Sequence, residues 1–298
     1  MSTEIRIDAL LPGEMAKRAE YVGVRKAETP VVTMFALAVL AGAFIAMGAI
    51  FATTIFSGGM AINGPDGAAA FKTALPYGVT RLLGGLVFCL GLILVVVGGA
   101  ELFTGNNLIV MAWASGKVTT AALLRNWVIV YIGNFVGALA TAVLLFMSKQ
   151  YTYGSGAVGL TALNIAKSKV ELEFMQAIAL GILCNALVCM AVWLTFSARS
   201  TLDKIAAIVF PITAFVAAGF EHSIANMYFI PVALLIKDFA GEAFWTSIGK
   251  TAADYASITW GSFFLNNLIP VTIGNIIGGV LLVAAIYWMV YLRPEKSK

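Results

Sequence analysis

Eight stretches free of Asp, Glu, Lys and Arg run through this chain, at 29–65, 82–100, 102–116, 126–148, 174–198, 205–220, 222–236 and 255–292. About 20 consecutive apolar residues cross a bilayer as a helix, and lipid tolerates only helices or closed barrels because every backbone group has to be satisfied internally. The runs are continuous rather than alternating, which selects helices over a barrel. Charged residues are 11% of the 298, against about a quarter in a soluble domain. A soluble enzyme of this length could not coat its core with so few. The chain is therefore expected to be an all-α integral membrane protein. A net charge of +4 spread over the whole length is no footprint for nucleic acid. Cys89, Cys184 and Cys189 all lie inside apolar runs, so they read as small buried hydrophobes. No disulfide framework, metal site or cofactor is expected.

Residues 1–28 mix five basic residues with five acidic ones. That balance predicts an amphipathic surface helix entered at Pro12 rather than an export signal. Beyond it, 126–148 and 174–198 each make one span, the first run makes one near 32–56 before the glycine-rich link SGGMAINGPDG, and the last makes one near 264–291. Residues 82–116 and 205–236 are interrupted only by Glu101 and Glu221. Each is too long for one span and too short for two with a turn, so each reads as a helix broken at its acid. Six spans result, the second and fifth discontinuous.

With six spans the two termini share a side with the links near 115–126 and 197–204. That side holds twelve Lys and Arg against seven opposite, including Lys72, Lys149 and Lys169, which predicts cytoplasmic termini. The organisation expected is a cytoplasmic segment 1–28, a membrane domain 29–292 and a cytoplasmic tail 293–298.

GGAELFTGN (98–106) and AGFEHSIAN (218–226) share Gly99/Gly219, Glu101/Glu221 and Asn106/Asn226 at one offset, and IGNFVG (132–137) returns as IGNIIG (273–278). Two blocks in the same order predict two three-span halves, 29–148 and 171–292. An odd number of spans per half inverts one half against the other, and inverted repeats place their site near the midplane where broken helices meet. Gly42, Gly48, Gly133, Gly137, Gly278 and Gly279 are expected to permit close helix approach.

Unwound backbone in a bilayer is tolerated where it lines a cavity, so the two breaks are the candidate pathway. His222 is the only histidine in the chain, and an ionisable group at that depth reads as functional, although a neutral packing histidine is the plain alternative. Thr104 in the other break offers a hydroxyl that donates or accepts, and the two together would make a station for a small solute. Glu101 and Glu221 read first as structural, capping broken-helix N–H groups. Asn106, Asn226, Asn134 and Asn275 read as partners for unwound backbone. Asn185 either pairs with a neighbouring helix or faces solute. Lys169 is either a solvated interfacial lysine or an attractant for an anion.

VVGGAELFTG (96–105), GILCNALVCMA (181–191), GFEHSIANM (219–227), NLIPVTIGNIIGG (267–279) and LLPGEMAKRAE (10–20) closely resemble the signatures of the formate/nitrite transporter family, over essentially the whole chain and nearest to its formate-channel branch. The resemblance implies an aquaporin-like fold and a homopentamer of the bacterial inner membrane, with one pore in each protomer and 29–292 as the channel domain. It implies that Thr104 and His222 face one another across the pore. It assigns Leu92 with Phe215 to the cytoplasmic constriction, Phe103 with Phe220 to the other, and Lys169 and Asn275 to the central chamber or its mouth. It also implies a gating role for the N-terminal helix and its contact with a cytoplasmic formate-producing enzyme.

The function expected is a bidirectional, pH-dependent channel for formate and other small monovalent anions, not an enzyme. A nitrite or hydrosulfide channel and a proton-coupled formate symporter remain open alternatives. No nucleotide-binding pattern is present, which disfavours a pump. A lone histidine cannot give a bis-histidine haem anchor within one chain.

Overall fold

The computed structural model describes residues 9–58, 62–63, 69–71 and 75–293. Residues 1–8, most of the glycine-rich link, Lys72 and residues 294–298 lie outside them. Helix α1 (Pro12–Glu28) starts with proline at its first position, where the missing N–H is no loss, and the Glu14 carboxylate accepts from the Leu11 N–H at 3.1 Å. After Pro30 the chain enters α2 (Val31–Ser57). A short antiparallel ribbon, β1 (Ile62–Asn63) with β2 (Ala69–Phe71), leads to α3 (Tyr77–Gly98). A 3₁₀ turn, Gly105–Ile109, and α4 (Val110–Ala114) follow, then α5 (Thr120–Met147), α6 (Ala157–Val170), α7 (Phe174–Ser197), α8 (Thr201–Ala218), α9 (Ser223–Phe239) and α10 (Glu242–Ile248). The last span joins α11 (Trp260–Ser262), α12 (Ile269–Gly279) and α13 (Ile286–Tyr291) through π-helical stretches at Phe263–Leu268 and Val280–Ala285. Six helical segments of the described chain are long and apolar enough to cross a membrane.

The helix stops at Gly98 and at Ala218 for one physical reason. Gly99 and Gly219 both take φ 77°, a left-handed conformation that side-chain-bearing residues avoid. Each turn closes alike, with Ala100 N–H donating to Val95 O at 2.9 Å and Phe220 N–H to Phe215 O at 3.0 Å. The chain then runs unwound until Gly105 on one side and Ser223 on the other.

The segment 148–170, expected to be a link, instead builds α6. Gly154 and Gly156 turn the chain in with positive φ, and Ala157, Leu160, Leu163 and Ala166 are buried. Fourteen residues are too few to span, and the charge-free stretch 150–166 that holds most of the helix opens on the turn-forming residues Tyr153-Gly154-Ser155-Gly156, which gave it the look of a link.

The glycines meet within the chain. Helix α5 lies on α2 so closely that a Cβ on Gly137 would stand 1.9 Å from Val39 O, and α12 lies on α7 so that a Cβ on Gly278 would stand 2.2 Å from Ile182 O. Both pairs use the small-xxx-small spacing that lets backbones touch (Gly133 with Gly137, Gly274 with Gly278). We expect Gly278→Val to push α12 off α7 and destabilise the protein by at least about 1–3 kcal/mol. Gly78→Ala, where nothing lies within 4 Å, should be silent. Thermal midpoints of the two purified variants check this, and equal midpoints would contradict the packing argument.

Candidate functional site

The two breaks are held by one hydrogen-bond pattern used twice. Glu101 N–H donates to Leu37 O at 3.2 Å and Glu221 N–H to Leu180 O at 3.3 Å. The Asn134 amide donates to Ala38 O and Glu101 O at 2.8 and 2.9 Å, and its oxygen accepts from Phe103 N–H at 3.0 Å. The Asn275 amide donates to Gly181 O and Glu221 O at 2.8 and 2.9 Å, and its oxygen accepts from Ser223 N–H at 2.9 Å. Buried backbone groups need partners, and these two asparagines supply them for the unwound turns; Asn275, which the resemblance assigns to the central chamber or its mouth, lines neither of the two cavities beside the breaks.

The acids do something else. Glu101 and Glu221 were expected to cap helix N–H groups, but their carboxylates bind side chains. Lys26 Nζ donates to Glu101 Oε1 at 2.8 Å and Lys169 Nζ to Glu221 Oε1 at 2.6 Å. The opposite oxygens each accept from an amide at 2.7 Å, Asn106 and Asn226 respectively. The Asn106 amide also donates to Asn126 Oδ1 at 2.9 Å, and the Asn226 amide to Asn267 Oδ1 at 2.7 Å. Asn106 and Asn226 thus serve the acids rather than the unwound backbone. The pattern closes where Asn126 donates to Lys26 O at 3.1 Å and Asn267 to Lys169 O at 3.0 Å. Lys169 is only 13% exposed, so the reading as a solvated interfacial lysine fails.

This correspondence extends the repeat beyond 29–148 and 171–292, because α1 and α6 occupy equivalent places. Helix α1 is a wall of the site, not a peripheral segment. It is anchored by Arg18 donating to Phe196 O at 3.2 Å, by Arg125 donating to Ala27 O at 2.8 Å, and by the Lys117–Glu20 ion pair. The sequence reading missed Lys26, Asn126 and Asn267. One signal was available: Lys26-Ala-Glu28 and Lys169-Val-Glu171 precede equivalent spans with the same lysine and acid.

Two cavities flank the breaks. One, of about 290 Å³, lies on the α1 side and is lined by Arg18, Lys26, Leu92, Glu101, Leu102, Asn106 and Lys204 among others. The second, of about 140 Å³, lies on the α6 side and is lined by Arg81, Lys169, Phe215, Phe220, Glu221, His222 and Asn226 among others. Each holds one carboxylate, already committed to a lysine and an asparagine, and an excess of cations. Leu92 and Phe215, assigned together to one constriction, therefore belong to different cavities. Both are buried, and Phe215 sits edge-on to Phe88 at 5.6 Å and 5.9 Å from the His222 ring.

Between the cavities His222 Nε2 meets Thr104 Oγ1 at 2.9 Å. His222 Nδ1 accepts from Ala225 N–H at 3.1 Å, capping α9. An accepting Nδ1 puts the ring proton of a neutral imidazole on Nε2, so Nε2–H donates to Thr104 and leaves that hydroxyl's hydrogen available to another acceptor. Thr104 is fully buried and His222 nearly so.

The remaining expected residues divide. Phe220 lines the α6-side cavity. Phe103 does not pair with it. Its ring packs edge-on against Tyr131 at 4.9 Å and Trp127 at 5.9 Å, and Leu102 takes the place on the cavity wall. The unwound backbone turns successive side chains to opposite sides, and Phe103 falls on the α5 side. Asn185 is fully buried and donates to Thr104 O, Asn107 Oδ1 and Asn275 O at 3.3, 3.1 and 2.7 Å. It holds the Thr104 turn instead of lining either cavity.

The family described as formate/nitrite transporter matches residues 13–289. The chain is 46% identical over 295 residues to the formate channel FocA of Escherichia coli (strain K12), covering 99% of each sequence. It is 40% identical over 273 residues to the formate channel FocA of Haemophilus influenzae, covering 92% of each. A solved pentameric formate channel with formate bound superposes with a TM-score of 0.79 at 45% identity, over 88% of this chain and 98% of that one.

Proposed function

This chain belongs to the formate/nitrite transporter family, and from that premise we propose that it is a bidirectional channel for formate and related small monovalent anions. The observation that carries the reading is the pair of cation-rich cavities on either side of the breaks, with the buried His222–Thr104 contact at the wall of one of them. Relatives named as formate channels support formate as solute, and the pentameric formate-bound neighbour supports a homopentamer. The bacterial relatives and the cation bias support a multi-pass protein of the inner membrane with cytoplasmic termini, α1 then lying in the cytoplasm within reach of a formate-producing enzyme.

A bare carboxylate entering low dielectric loses several to roughly 20 kcal/mol of solvation. Lys26 or Lys169 offsets part of this at the cavity. Leu92 and Phe215 then exclude water, and the Thr104 hydroxyl, oriented by His222, supplies a donor at the driest point. A proton gained on the way would let the neutral acid pass the apolar rings, which links transport to pH through the one histidine at the crossing. Eight buried asparagines hold the two breaks, so the passage is set by a rigid frame, and small solutes are favoured over larger acids.

Reconstitution in vesicles tests the reading. We expect formate to equilibrate down its gradient in either direction, without an imposed proton gradient, faster than through protein-free membranes. Mass measurement on the same preparation reads the pentamer, and protease access to α1 reads the orientation. No flux above the protein-free control would reject the channel, and a strict need for a proton gradient would replace it by a symporter.

A further inference from the structure

Arg81 stands in the first turns of α3, at the junction of two cavities. The inner one holds Lys169 and Glu221, and an outer one of about 470 Å³ is lined by Tyr77, Thr80, Thr161 and Asn164 among others. Phe56, Arg81, Ile165 and Ser168 line both. A solute moving between the two passes this guanidinium.

The side chain is locked in place. Its Nε donates to Ala217 O at 3.2 Å, its Nη2 donates to Val216 O, and its Cζ lies 4.7 Å from the Phe56 ring centroid. Val216 and Ala217 belong to the last turn of α8, whose carbonyls lose their regular helical donors at the Gly219 break, Val216 O keeping the Gly219 N–H at 3.1 Å, and carry negative partial charge. Left bare, that turn would repel an anion at the mouth, and Arg81 reverses the sign. The guanidinium has donors to spare, because Nη1 makes no hydrogen bond to protein among the described residues. On the outer wall the Asn164 oxygen accepts from the Tyr255 hydroxyl at 3.1 Å, and its amide makes no hydrogen bond among the described residues. Planar donors of this kind match a carboxylate.

The feature is one-sided. The 120-residue offset from Glu101 to Glu221 carries Arg81 onto Thr201, so the repeat has no second copy, and the α1-side cavity takes its extra cations from Arg18 and Lys204.

We propose that Arg81 forms a capture site for the permeant small carboxylate on the α6 side, holding it between the outer and inner cavities before it reaches Lys169. This rests on the channel reading above. Arg81 loads the inner cavity at low solute concentration and sets how that mouth responds to salt.

The test is current through the whole protein in a planar bilayer, with formate added to one chamber at a time. For Arg81→Gln, which keeps N–H donors and loses the charge, half-maximal current from the α6 side should need about fivefold more formate, the scale of one unit charge about 4 Å away in water. Saturating current should stay within about twofold, and addition from the α1 side should be unaffected. Screening at 1 M salt, where the Debye length is about 3 Å, should shrink the difference. Arg81→Lys, which keeps the charge, should stay near wild type, and it carries the test where the Gln variant assembles poorly. No shift in Arg81→Gln, equal shifts from both sides, or a Lys variant as impaired as the Gln variant would overturn the capture site. Absence of wild-type current would sink the channel reading and this inference with it, whereas a normal wild type beside an unaltered Arg81→Gln sinks the inference alone.

Discussion

Glu221→Ala is expected to collapse the assembled protein, whereas Glu221→Gln combined with Lys169→Met should fold and fail to transport. The single change leaves the Lys169 ammonium, 13% exposed beside a carboxylate 5% exposed, without its counter-charge. Removing one member of a buried pair costs about 3–5 kcal/mol. It also strips acceptors from the Asn226 and Asn267 amides, which now donate to Glu221 Oε2 at 2.7 and 3.2 Å, and each orphaned amide adds about 1–3 kcal/mol. A midpoint loss on the order of 10 °C or more is the expected reading, at roughly 2–4 °C per kcal/mol in a large domain. Glu101→Ala should lose less, because Lys26 is 27% exposed and water can reach it. The double variant restores charge balance, and its glutamine oxygen keeps an acceptor for the asparagines. Its deficit should therefore be one of flux, at least about tenfold, which corresponds to about 1.4 kcal/mol of barrier. Thermal unfolding and vesicle flux on the same preparations separate the two effects. A stable Glu221→Ala, or a double variant that conducts normally, would show that the pair neither braces the break nor draws anions.

The second large effect concerns the His222–Thr104 contact. Thr104→Val removes the hydroxyl at nearly constant shape. It leaves His222 Nε2–H, now bonded to Thr104 at 2.9 Å, facing a methyl group. Formate flux should fall at least about tenfold for the lost donor, in line with removal of a single positioned hydrogen bond in a dry site. His222→Asn is expected to behave differently. Asparagine is a favoured N-cap, so it can replace Nδ1 as acceptor for the Ala225 N–H, and α9 should keep its start. The one imidazole at the break is lost and asparagine binds no proton in its place, so flux should persist with a flattened pH profile. In the wild type a second ring proton would occupy Nδ1 and displace the Ala225 N–H, which ties any charging of His222 to the first turn of α9. Formate flux against pH for wild type and both variants reads this directly. Three superimposed curves would make the pair purely structural.

Much of the architecture was legible along the chain, and the errors fall in a pattern. The helix positions agree to within about six residues, because hydropathy is a local property that survives any arrangement of neighbours. The breaks were legible as well, since a lone acid next to a glycine inside an apolar run marks a place where a helix ends against polar partners. Asn134 and Asn275 were legible as backbone partners. The acids were misassigned because a carboxylate near a helix end commonly caps N–H groups, and only the arrival of Lys26 and Lys169 shows that they are engaged elsewhere. Phe103 failed for a similar reason. Outside a helix no period says which way a side chain faces.

Sequence alone determined that this chain carries apolar helices long enough to cross a membrane, that acids interrupt two of its apolar stretches, and that its one histidine lies at such an interruption. Each conclusion follows from transfer energies and backbone preferences belonging to single residues and their immediate neighbours. Tertiary structure alone decided that α1 and α6 are equivalent walls, that Leu92 and Phe215 line different cavities, and that Arg81 closes the end of a helix 135 residues away. A buried polar group takes whichever partner the packing brings within about 3 Å. Here close contact between glycine-faced helices chose those partners, and the order of residues along the chain does not record which backbones will touch.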